Sequence, residues 1–95
     1  MVVGIIEISF VLYETATLKF KRSVIKRLIA RCKNSFNVAM SEIEDHDYND
    51  RMTLAAVMVG NDRRIMQKNL DHLENFIDQL ALAQLIDTHK VIENY

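Results

Sequence analysis

A four-stranded antiparallel sheet with two helices on one face is predicted for this 95-residue chain by three observations. Apolar residues alternate from Val2 to Leu12, with Ile6, Ile8, Phe10 and Leu12 on one side and Glu7, Ser9 and Val11 on the other. That is the period of a half-buried strand. Two long segments, 18–36 and the one that follows "GND" at 60–62, switch to helical period. The chain has no proline, two glycines (Gly4 and Gly60) and no low-complexity tract, which leaves no linker and one domain over residues 1–95.

The elements follow in order. After the first strand, Thr17 is placed to cap a helix whose Leu18, Ile25, Leu28, Ile29, Cys32 and Phe36 share one stripe at 100° per residue. "NVAMSEIE" and "RMTLAAVMV" read as two strands around the polar tip "DHDYND", which has hairpin-loop composition. Gly60, Asn61 and Asp62 stop the second of these, with Asn61 or Asp62 as the next cap. Met66, Leu70, Leu73, Ile77 and Leu80 then recur at helical spacing. The tail "IDTHKVIEN" is a weaker strand, expected at an edge. Strand, helix, strand, strand, helix, strand is the split βαβ, ferredoxin-like order, an α+β class. Its expected core is Ile6, Ile8, Phe10, Leu12, Ile25, Leu28, Ile29, Leu54, Met66, Leu70, Leu73 and Ile77. In the third strand Met52, Leu54, Ala56 and Met58 alternate with Thr53, Ala55, Val57 and Val59, so neither face is strongly polar. A homodimer through the helix-free face is one way to cover it.

Composition excludes several classes. Forty-nine per cent apolar residues supply a core for a chain of this size, and a single cysteine, Cys32, allows no internal disulfide. A reducing cytoplasm fits that count. "MVVGIIEISFVL" has no basic leader, is shorter than a membrane span and is interrupted by Glu7, so it reads as a strand.

Charge is segregated. Between residues 17 and 41 stand Lys19, Lys21, Arg22, Lys26, Arg27, Arg31 and Lys33, seven of the twelve basic residues, without one Asp or Glu, although the formal net charge is −1. Lys19, Arg22, Lys26 and Lys33 form one flank of the first helix and Arg27 and Arg31 a smaller group on the other. A solvated face is the commonest fate of such a run. Two details point elsewhere: Arg22 with Lys26 and Arg27 with Arg31 are repulsive i,i+4 neighbours, and Lys19, Lys21 and Arg22 crowd the positive end of the helix dipole. An anion held by those three cations and the unpaired N–H groups of the first turn repairs the fault at the helix start, and phosphate is its natural form. With no aromatic residue in the third strand to stack on bases, any RNA contact is expected to run through phosphate and shape.

The tip holds Glu42, Glu44, Asp45, Asp47 and Asp50 beside His46. Asp45, His46 and Asp47 have metal-ligand chemistry, but consecutive residues at a hairpin tip rarely converge, so a polar turn is the reading and no metal or other cofactor is expected. Arg51 is expected to pair with Glu42 or Asp47, as structure or to orient the basic site. No catalytic residue emerges. Cys32 lies on the apolar stripe, His72 and His89 read as surface histidines, and "LYETATLK" lacks the glycine-rich phosphate loop of acylphosphatases, which share this topology.

Leu18, Lys19, Lys21, Arg22, Val24, Arg31, Phe36, Asn37, Val38, Glu42, Asp47, Arg51, Leu54 and Asp62, in this order and spacing, resemble the YlxP-like family of small bacterial proteins of unknown function. The likeness spans nearly the whole chain. Thr17 stands where the family usually has Ser, and Asp50 where Gln is more usual. The resemblance implies a ferredoxin-like fold and a gene often found among those for translation initiation factor two and ribosome-binding factor A. The expected function is a non-enzymatic accessory factor that binds ribosomal RNA or a ribosome-associated partner through Lys19, Lys21, Arg22, Lys26, Arg27, Arg31, Lys33 and Arg51. The alternatives are a module for an acidic protein partner and a small-molecule regulatory domain.

Overall fold

The structure is a computed structural model that describes residues 1–13 and 17–95. Its elements are β1 (Val2–Val11), α1 (Leu18–Ser35), β2 (Ala39–Glu44), β3 (Arg51–Gly60), α2 (Arg63–Leu80) and β4 (Gln84–Asn94). The four strands form one sheet in the order β2-β3-β1-β4, every pair antiparallel. This is the ferredoxin-like α+β arrangement, with β2 and β4 as edges.

Local chemistry sets the helix ends. The Thr17 hydroxyl accepts from the Phe20 N–H at 3.1 Å, and the Asp62 carboxylate accepts from the Ile65 N–H at 3.0 Å, so each cap satisfies one otherwise orphaned donor. α2 ends at Ala81 in the left-handed region, φ 52°, a conformation that costs an L-residue about 1 kcal/mol.

One buried cluster joins the inner face of the sheet to both helices. Ile6, Ile8, Phe10, Leu12, Ile25, Leu28, Leu54, Met66, Leu70, Leu73 and Ile77 are buried as expected, while Ile29 is only half-buried at the margin. Val24, Met52 and Met58 also join the core, each fully buried aliphatic side chain contributing roughly 1.5–3 kcal/mol. Gly4 leaves room for Met66 of α2 to press against the sheet: a Cβ there would stand 2.4 Å from Met66 Sδ and 2.7 Å from its Cγ.

Among the described residues, no helix covers the opposite face. Its register lays Ala39, Val57, Ile5 and Val91 side by side across all four strands. On one side of this row stand Val59, Val3 and Glu93; on the other, Ser41, Ala55, Glu7 and His89, followed by Glu44, Thr53, Ser9 and Asp87. The polar corner is partly closed by the chain itself. Thr53 is buried, donates to Asp45 Oδ2 at 2.9 Å and lies 3.3 Å from the Ser9 hydroxyl.

Candidate functional site: the basic flank of the first helix

Six of the seven helix cations stand where the periodicity predicts. Lys19, Arg22, Lys26, Arg27, Arg31 and Lys33 are exposed, and none makes an ion pair with a described residue. Lys19, Arg22, Ser23, Lys26 and Arg27 line an open depression of about 420 Å³. Four positive charges therefore surround one hydroxyl. Such a surface attracts anions and is screened by salt.

Lys21 departs from the expectation. It is buried, 1% exposed, because it falls on the same stripe as Ile25, Leu28 and Cys32 and turns inward. Its ammonium donates to the Asp45 carbonyl at 2.7 Å and stands 3.3 and 3.4 Å from the carbonyls of His46 and Arg51. Glu42 Oε2, itself buried, lies 3.1 Å away; it is the charge partner without the alignment of a hydrogen bond. Lys21 is thus a clamp between α1 and the β2–β3 tip. The cations left at the first turn are Lys19 and Arg22, and Thr17 already takes the Phe20 N–H.

Arg51 also departs from the expectation. Glu42 belongs to Lys21, and the Arg51 guanidinium lies 4.2 Å from the centre of the Tyr48 ring with its Nε 3.8 Å from Asp50. On β3 it alternates with buried Met52, so its side chain leaves from the face opposite the helices and does not extend the basic flank.

The other ionisable groups divide between structural contacts and exposed positions. Among the described residues no three His, Cys, Asp or Glu side chains are grouped to hold a metal ion. His46 Nε2 stands 3.9 Å from Glu42 at the exposed tip, and His72 and His89 are exposed. Burial pushes the Cys32 thiol up to about 11, which removes the thiolate a nucleophile needs. Lys90 on β4 holds Asp71 at 2.8 Å and also Glu74, tying β4 to α2. Desolvation pulls Lys90 down, yet its bonds to the two carboxylates leave it above its ordinary value; hydrogen bonds from Lys90 and Gln67 hold Asp71 below the usual carboxylate range. The expectation about a phosphate loop at "LYETATLK" falls partly on residues 14–16, outside the described residues. Among the described residues no helix is long and apolar enough to cross a membrane.

Two solved structures share the fold. A structural-genomics protein, YJCS, superposes with a TM-score of 0.54 at 10% identity, over 97% of this chain and 99% of its own. A protein from an uncultured marine organism, described as a dimeric ferredoxin-like protein, superposes at 0.52 with 11% identity, over 100% of this chain and 98% of its own. At such identities the likeness concerns the fold alone. In sequence, the chain is 36% identical over 76 residues to the uncharacterized protein YlxP of Bacillus subtilis strain 168, covering 80% of this chain and 83% of that one. The profile of DUF503, a family of proteins of unknown function, matches residues 3–90, and the chain belongs to that family.

Proposed function

We propose that this protein is a non-enzymatic accessory factor of the cytoplasm that binds ribosomal RNA, or a ribosome-associated partner, through the exposed basic flank of α1. One observation carries the reading: Lys19, Arg22, Lys26 and Arg27 surround an open depression on an acid-free helix and have no ion-pair partner among the described residues. A helix kept only for solubility gains about 0.2–0.5 kcal/mol from each i,i+4 ion pair, whereas this one places like charges at Arg22/Lys26 and Arg27/Arg31. A polyanion turns that repulsion into attraction. Phosphates spaced along a strand fit a track of cations along a helix better than a single small anion does.

The experiment is a ribosome and RNA pull-down from bacterial lysate, with and without nuclease, beside binding to purified translation factors. Loss of binding after nuclease is the expected result. Binding that survives nuclease favours an acidic protein partner, and absence of both overturns the reading.

A further inference from the structure

We propose that the helix-free face of the sheet is a two-fold interface with a second copy of this chain. An antiparallel sheet with one wet face normally turns polar residues to water along every strand. Here the row Ala39, Val57, Ile5, Val91 is apolar across the full width of the sheet, and Val3 and Val59 continue it. Val57 and Val59 are 41% and 63% exposed. A groove of about 410 Å³ lined by Met1, Val3, Ala39, Val57 and Val59 among others opens beside the row.

A second copy is the occupant that the register itself fits. The central strands are β3 and β1, so a two-fold axis parallel to the strands and between them exchanges β3 with β1 and β2 with β4. Val57 of one copy then lies over Ile5 of the second, Val59 over Val3 and Ala39 over Val91. Glu7 meets Ala55, so its own counterpart is not set against it, while at the polar end Glu44 of one copy faces Asp87 of the second, a like-charge pair that keeps the dimer weak. Sheets packed face to face rotate by about 30°, which small and β-branched side chains tolerate. Three strands of about 30 Å and β2 of about 20 Å, spaced about 4.8 Å, present roughly 500 Å² each. The pair buries about 1,000 Å², the size of a small, dissociable interface. Both α1 helices remain outside, so this inference does not depend on the RNA reading.

Sedimentation equilibrium over a wide concentration range is expected to show about 22 kDa, twice the 11.0 kDa chain, falling towards 11.0 kDa on dilution. Val57→Glu with Val59→Glu should hold the mass at 11.0 kDa at all concentrations while leaving circular dichroism unchanged, since both side chains are exposed in the single chain. Ala39→Cys with Val91→Cys fixes the geometry: within one chain these positions are three strand spacings apart, about 14 Å, whereas facing positions on two packed sheets are about 10 Å apart. A thiol cross-linker that spans about 10 Å but not 14 Å should therefore give a covalent dimer on a denaturing gel, with buried Cys32 silent. An 11.0 kDa species throughout, a dimer indifferent to the glutamates, or a dimer that the 39/91 cysteines cannot link overturns the proposal.

Discussion

The Lys21 ammonium lies 3.1 Å from the Glu42 carboxylate and 2.7 Å from the Asp45 carbonyl, and these contacts tie the first turn of α1 to the β2–β3 tip. Asp45 links both faces of the sheet, because its carbonyl accepts from Lys21 while its carboxylate accepts from Thr53. Losing one member of a buried charge pair costs roughly 3–5 kcal/mol, and the partial exposure of Glu42 favours the lower end. Lys21→Met should therefore lower the urea midpoint by an amount equivalent to about 3 kcal/mol, and adding Glu42→Gln should recover part of it. Lys19→Met, on the exposed flank, should stay within about 0.5 kcal/mol of the parent. Equal midpoints for the two lysine variants would mean that the clamp is not stabilising.

Salt dependence reads the basic flank. If four phosphates of single-stranded RNA are neutralised, log affinity should fall with log salt at about −0.7 per contact, roughly −3 in total. Lys19→Ala with Arg22→Ala should shrink that slope by about 1 to 2 and weaken binding evenly across sequences, with the fold intact. An unchanged slope in a binding measurement makes the flank an ordinary solvated face.

Cys32 should be silent in the native protein. Its thiol, pushed up to about 11, and its complete burial predict labelling at pH 8 about a hundredfold or more slower than in the urea-unfolded chain. Rapid labelling of folded protein by a chromogenic disulfide would show that α1 opens locally.

The Lys90 clamp acts across neutral pH. Asp71 sits below its unfolded value, so its contribution is present above the ordinary carboxylate pKa and is lost as pH falls through the folded one. Lys90 sits above its unfolded value, so its contribution is full below the ordinary lysine pKa and is lost as pH rises through the folded one. Lys90→Met should flatten the fall in Tm below about pH 4, where Asp71 takes up its proton. The same steep acid limb in parent and variant would place that pH dependence elsewhere.

Gly4→Ala should cost about 1–3 kcal/mol, because the added methyl meets the middle of the Met66 side chain and not its free end. Met66→Val in the same chain should restore part of the loss in chemical denaturation. A neutral Gly4→Ala would show that α2 can lift away from β1 at little expense.

Element order, the Thr17 cap and nearly all the inner core follow from the sequence, because strand and helix periods are local and Thr17 acts on a donor three residues away; between Asn61 and Asp62 the structure selects Asp62 as the second cap. The fate of Lys21 was half visible: its phase matches Ile25 and Cys32, but a lysine on an apolar stripe is acceptable only if acceptors from elsewhere meet it. Those acceptors, the carbonyls of Asp45, His46 and Arg51, come from 24 to 30 residues away, and only the packing of α1 against the hairpin supplies them. Arg51 pairs with neither Glu42 nor Asp47 for the same reason: Glu42 lies within reach along the sequence but is held by Lys21, and the Arg51 guanidinium stands by Asp50 and the Tyr48 ring. The alternating valines of β3 suggested an uncovered face; the register of four strands drawn from distant parts of the chain decided that Ala39, Val57, Ile5 and Val91 form one continuous row. Periodicity sets which side of an element is apolar, whereas partner identity depends on long-range closure that no local pattern encodes.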